Sequence, residues 1–348
     1  MWLYGRNWTR RELEERVGRI EQMAGVRRVR ATEGLEQDLE IAQVRTGAGL
    51  QYDVNLSRGM DVSLCQLGGS PLSWQAPQGD VGPAYYDANG IEWLRTACGG
   101  LLMTCGLRQV GSPCTDAGES LGLHGRIHHL PGRQIRTDGI WDGDDYVISV
   151  SGLLEEARIF GENLALRRIY SSRLGVNEIV IRDEVENRGF SSTPLMLLYH
   201  FNFGFPLLTS ETVLEITSGR VSSRDKNTVM EGICKWENPA SDFAERVYYH
   251  SELKRDNSGF TTARLLNPRF PVAGCTGPIE VELSWRPEQL PYMVQWKMCG
   301  RSTHVMGLEP ANCLVGGRSS ERIAGRLSYI EPGEKRVFEL RLTVKSSF

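Results

Sequence analysis

No apolar run in the 348 residues approaches the ~20 that a helix needs to cross a bilayer. The N-terminus also lacks the apolar stretch of a secretory signal, so the expected compartment is the cytoplasm. Cys65, Cys98, Cys105, Cys114, Cys234, Cys275, Cys299 and Cys313 are scattered and form no C-x-x-C pair. That pattern suits neither a disulfide framework nor a metal cluster, and buried free thiols are expected. No G-x-G-x-x-G joins a strand to a helix and no phosphate-binding loop occurs, so nucleotide cofactors have no support. No G-x-S-x-G elbow offers a nucleophilic serine. There is no surplus of positive charge either: the net charge is -3, which argues against nucleic acid or an anionic membrane as partner.

Repeats and linkers are missing too. No fixed period connects the segments, against a propeller or solenoid, and no Pro/Gly/Ser-rich stretch divides the chain. What is present is a long series of short alternating runs, such as residues 39–45, 51–56, 146–153, 164–170, 178–186, 213–216, 279–285 and 336–344. Alternation of this kind marks half-buried strands, and the 38 glycines and 15 prolines supply the turns between them. The expected class is all-β, a large antiparallel β-sandwich. One helix is expected, from residue 9 to about residue 23, where Thr9 and Glu12 form a capping-box pattern and Leu13, Val17, Ile20 and Met23 recur at helical spacing. The expected organisation is an N-terminal helical extension over 1–35 and a single sandwich domain over 36–348. Residues 153–160 read as either a helix turn or a strand. The Asp- and Gly-rich residues 138–145 read as a surface hairpin, because they lack the oxygen-ligand spacing of a calcium loop.

Three stretches carry candidate chemistry. In residues 194–208, His200 and Asn202 interrupt a run of large apolar residues two positions apart, so on a strand they share one face while the aromatics take the other. In residues 121–130, Gly122 and Gly125 frame His124, which lets the backbone turn tightly beside a ligand. In residues 305–313, Glu309 stands between Leu308 and Pro310, an apolar setting that raises a carboxyl pKa and suits a general base. Each has a plain structural alternative: a core histidine, a loop histidine, a strand-end glutamate. Together they form an acid–base set without a nucleophile.

The ordered set resembles the aldose 1-epimerase, or galactose mutarotase-like, superfamily. Leu123, His124 and Gly125 resemble its Leu-His-Gly-Gly; His200 to Asn202 resemble its His-x-Tyr-Phe-Asn-Leu in shortened form; Leu308, Glu309 and Pro310 resemble its Leu-Glu-Pro; and Glu331 to Glu334 resemble its usual ending. The departures are Arg126 in place of the second glycine, the stretch Phe203 to Pro206, and Tyr199 ahead of the histidine. The family's substrate-binding aspartate has no clear counterpart, Asp242 being a guess. With Arg58 to Asp61 and Gly307 to Asn312, the chain looks like a divergent bacterial branch of unassigned sugar specificity.

The resemblance implies a supersandwich fold and an enzyme that interconverts the α and β anomers of a free sugar. Glu309 would take the proton of the C1 hydroxyl, His200 would protonate the ring oxygen, and His124 would steady the oxygens near C1. No metal or cofactor is required, and the expected partner is a small-molecule sugar, with no nucleic acid and no membrane. Arg58, Arg108 and Arg126 are candidates for sugar hydroxyls because a guanidinium presents several donors in a fixed fork; each could equally be an ion-pair arginine. Asn202 either binds substrate or closes a turn, and Trp296 either stacks on a sugar face or fills the core. Two rivals stand beside this reading. One is a cupin-like metal-dependent isomerase using His124, His128, His129, His200 and Glu309 as ligands. The other is a non-catalytic carbohydrate-binding protein.

Overall fold

The alternating runs pair into two large antiparallel sheets in a computed structural model that describes residues 1–347. The six-stranded sheet contains β1 (Leu102–Leu107), β2 (Met196–Phe203), β3 (Ser218–Ser223), β4 (Arg246–Leu253), β5 (Tyr292–Cys299) and β6 (His304–Ala311), in the spatial order β1-β2-β6-β5-β4-β3. The eight-stranded sheet runs, in spatial order, through Arg133–Asp142, Asp145–Ala157, Asn163–Arg173, Glu178–Asn187, Lys335–Ser346, Cys275–Trp285, Thr261–Val272 and Val213–Ile216. A five-stranded sheet built from residues 25–71 accompanies them.

Strand β2 shows how the sequence sets the layers. Its odd positions, Leu197, Tyr199, Phe201 and Phe203, join Ile148, Leu166, Ile181, Leu283 and Leu342 of the eight-stranded sheet in the main core. Burying each such side chain stabilises by roughly 1.5–3 kcal/mol, so this row pins the strand face-down. The Tyr199 hydroxyl donates to Asp183 Oδ2 at 2.7 Å, tying the sheets together. The even positions Met196 and Leu198 belong to a smaller apolar cluster with Met103, Val247 and Val294. His200 and Asn202 therefore emerge on the face turned away from the main core.

The N-terminal helix is shorter than the periodicity predicts. It spans Arg10–Glu14, with the Thr9–Glu12 capping box formed, and Ile20–Gln22 is a separate 3-10 turn. Only Leu13 of its apolar positions is fully buried, and Gly18 weakens the segment, so little packing energy extends the helix. The strand Gly25–Arg30 lies within the stretch read as an N-terminal extension and pairs with Glu40–Arg45 of the five-stranded sheet. Residues 153–157 continue the strand Asp145–Ala157, and the 138–145 stretch is the hairpin expected, turning at Gly143.

Candidate active site

Strand register brings the candidate residues together. Met103 of β1 lies opposite His200 of β2, and Val294 of β5 opposite Glu309 of β6. The β2–β6 register sets Leu198 against Ala311 and Asn202 against Gly307, with His200 and Glu309 side by side between those pairs. The imidazole Nε2 stands 3.2 Å from Glu309 Oε1, too poorly aligned for a hydrogen bond. The two side chains are nearly buried, at 7% and 2% exposure, and His200 Nδ1 and Glu309 Oε1 have no partner in the protein. Gly307 makes room for the pair: a Cβ there would lie 2.5 Å from Glu309 Oε1 and 3.1 Å from His200 Cε1.

His124 arrives from a loop. Its φ is +56°, its amide donates to the Gly111 carbonyl at 3.0 Å, and its Nδ1 accepts the Gly111 N–H at 3.3 Å. An Nδ1 that accepts places the proton of the neutral ring on Nε2, leaving an N–H donor on the far side. The His124 and His200 ring centroids are 6.0 Å apart, and Trp93 packs on His124 at 5.0 Å. Gly125 is required beside it, since a Cβ would meet the Gly106 carbonyl at 2.4 Å.

These three residues line one open cavity of about 540 Å³, within the range of small-ligand sites. Its walls are largely apolar, with Trp74, Trp93 and Trp296 among them. Its one arginine is Arg224, just after β3, and its second carboxylate is Glu245, just before β4. Glu245 accepts from Trp296 Nε1 at 2.9 Å and pairs with Arg224 at 2.7 Å; Arg224 also holds Asp225 at 2.8 Å.

Burial dominates the electrostatics. It pushes the Glu309 carboxyl well above its usual range, reinforced by the nearby charge of Glu245. It lowers His200 to about 3, helped by His124, and His124 to about 4. Burial thus favours the form of the His200–Glu309 pair that carries a carboxylic acid beside a neutral imidazole.

Several other candidates lie elsewhere. Arg58 is 1% exposed and is bound to the Val81 carbonyl and His128, outside the cavity. Arg108 is held by Glu119 and Glu162, and exposed Arg126 borders the same separate crevice as Arg108. Asn202 is fully buried inside β2, opposite Gly307, where its amide donates to the His200 carbonyl at 3.1 Å; it closes no turn and is off the cavity wall. Trp296 does reach the cavity wall. Asp242 is exposed and off the wall, three residues short of Glu245. His128 and His129 lie in the 3-10 turn Ile127–His129, bound to Asp61 and Thr96 respectively, so the five-ligand metal set does not converge. Among the described residues no cluster of three His, Cys, Asp or Glu could hold a metal ion.

A family model described as "Domain of unknown function (DUF4432)" matches residues 36–344. No curated protein matches the chain. Among solved structures, a "putative aldose 1-epimerase" from Klebsiella pneumoniae superposes with a TM-score of 0.83 at 22% identity, over 92% of this chain and 83% of that one. The galactose 1-epimerase of Lactobacillus acidophilus NCFM gives 0.59 at 13% identity, over 93% and 100%. A galactose mutarotase-like protein from Clostridium acetobutylicum gives 0.58 at 11% identity, over 93% and 99%. At these identities the likeness is one of fold: this chain has the galactose mutarotase-like sandwich.

Proposed function

The chain belongs to the DUF4432 family, and on that premise we propose that it is an aldose 1-epimerase, opening and reclosing the ring of a free sugar by proton transfer. The observation that carries this reading is the buried His200–Glu309 pair, 3.2 Å apart, with His124 beside it on one cavity. Ring opening needs a base for the C1 hydroxyl and an acid for the ring oxygen at the same moment. Glu309 takes the hydroxyl proton and His200 supplies the other; reclosure on the opposite face reverses the roles. The His124 Nε2–H donates to the oxygen on which charge gathers.

An ionised glutamate with a protonated histidine has the same proton count as the neutral pair favoured by burial. One proton shift between neighbouring atoms interconverts them, and the bound hydroxyls stabilise the charged form. The active state is bounded on the acid side by protonation of His200, lowered to about 3, and on the alkaline side by ionisation of the raised Glu309. The pH profile is therefore a bell, with its acid limb set by His200 and its alkaline limb by the raised Glu309. Glu245, held by Arg224 and Trp296, is the carboxylate placed to accept further sugar hydroxyls.

The test is a panel of freshly dissolved pure anomers followed by polarimetry or saturation-transfer NMR. Faster equilibration of at least one neutral aldose supports the reading. Tight sugar binding with no change in anomer exchange would replace it with a non-catalytic carbohydrate-binding role.

A further inference from the structure

The tetrad Arg58 to Asp61 does not touch the cavity, yet every member is engaged. Asp61, 3% exposed, collects four donors. Its Oδ2 accepts from the Thr104 amide at 2.9 Å and from His128 Nδ1 at 2.6 Å. Its Oδ1 accepts from Thr104 Oγ1 at 2.6 Å and from Arg168 Nη1 at 2.8 Å. Arg58 caps the other side of His128, so the ring donates to a carboxylate through Nδ1 and accepts from a guanidinium through Nε2. The Gly59 amide donates to the Leu130 carbonyl at 2.7 Å, and its own carbonyl accepts from Arg168 at 3.1 Å. A Cβ on Gly59 would lie 2.6 Å from Asp61 Oδ2, so only glycine leaves the carboxylate accessible. The Met60 carbonyl accepts from the Tyr170 hydroxyl at 2.7 Å.

These bonds lead to the three cavity elements. His128 and Leu130 belong to the loop that begins at His124. Thr104 sits beside Met103, the register partner of His200. Arg168 also grips Asp183, which accepts from Tyr199, the residue before His200. His124 comes from a loop rather than a strand; β1 holds that loop at its start, the Gly106 amide donating to the His124 carbonyl at 3.0 Å and the Arg126 amide to the Gly106 carbonyl at 2.9 Å, and the Asp61 bonds hold its far end through His128. The His128 ring also backs Trp93 at 5.6 Å, and Trp93 packs on His124.

We infer that Asp61 is a positioning residue, the buried hub that fixes the His124 loop against the strand carrying His200. The inference rests on the anomerisation reading for its kinetic arm only. The test replaces Asp61→Asn in the full chain, with proper folding checked by circular dichroism. The six histidines are labelled with 15N and their imidazole signals assigned by single replacements. The expected result is movement of the His124 and His200 signals, although neither ring touches residue 61. With it kcat should fall by about 10²-fold, the cost of a misplacement of order 1 Å, while KM stays within about threefold. A purely structural hub would lower thermal stability and move the His128 signal alone, leaving kcat per folded molecule intact; that outcome overturns the inference. If Asp61→Asn does not fold, Thr104→Val removes a single donor and should give a smaller effect of the same kind, and unmoved His124 and His200 signals there would overturn it equally. Should the wild type exchange no anomers, the functional reading fails, while the histidine signals still decide the positioning role.

Discussion

Glu309→Gln separates chemistry from binding and from stability. The amide has the shape of the buried carboxylic acid and, since Glu309 Oε1 has no partner in the protein, the change breaks no bond at that oxygen. A general acid–base group contributes ~10²–10⁴ in rate, so anomer exchange should fall by about 10³, equivalent to about 4 kcal/mol of transition-state stabilisation. KM should hold, because Trp296, Arg224 and Glu245 remain on the wall. The same variant has a stability signature. Burial raises the folded pKa of Glu309 above its unfolded value, so its contribution is present below the unfolded pKa, near 4.5, and is lost as pH rises through the folded one. The glutamine lacks that titration. Wild-type Tm should therefore decline more steeply than that of the variant as pH rises above about 4.5. The assays are saturation-transfer NMR on the best aldose and thermal melts at several pH values. A folded Glu309→Gln that keeps more than about a tenth of wild-type exchange would refute the general-base assignment.

Three further outcomes follow from the same geometry. Gly307→Ala should fold but cost ~1–3 kcal/mol of stability and at least about tenfold in kcat, because the new Cβ would sit 2.5 Å from Glu309 Oε1; unchanged kinetics would show that the pair tolerates separation. Trp296→Ala should raise KM about tenfold through lost stacking with a smaller change in kcat, checked by initial rates over a substrate series. Acid should destabilise the protein through His200: its folded pKa, about 3, lies below the unfolded value of ~6.5, so stability present above pH 6.5 is lost as pH falls. By pH 4 that loss is about 3 kcal/mol. Urea midpoints at pH 7 and pH 4 should show a smaller drop in His200→Asn than in wild type, and equal drops would contradict the assignment.

The sandwich was legible because its signal is local. Alternation with period two needs only the neighbouring residues, and in β2 it also names the face: Tyr199, Phe201 and Phe203 point to the core, so His200 and Asn202 cannot. Glu309 was marked the same way, by its apolar neighbours Leu308 and Pro310. The N-terminal helix misled because periodicity reports which residues could share a face, not whether a partner surface is there to bury them. Beyond Leu13 the partner surface is slight, and the helix stops.

The arginines were illegible for a physical reason. A guanidinium on a long, flexible stem takes its role from whichever carboxylate or carbonyl the fold delivers, and that partner is usually distant in sequence. Arg168 meets Asp61 across 107 positions, and His128 meets Asp61 across 67. Arg58 was a candidate for sugar hydroxyls because a guanidinium presents several donors in a fixed fork, and its neighbour Asp61 carried no role of its own. Both are buried instead, Asp61 among Arg168, His128 and Thr104, and Arg58 against His128 and the Val81 carbonyl, and removing one partner from a buried charge is strongly destabilising. Arg224 and Glu245 were missed for the opposite reason. They lie at strand ends in polar surroundings, where nothing local distinguishes a cavity wall from open surface, and only the return of β4 beside β3 sets them together. Side chains whose role depends on one long-range pairing carry no periodic mark, and it is these that a sequence reading of such a site should expect to misplace.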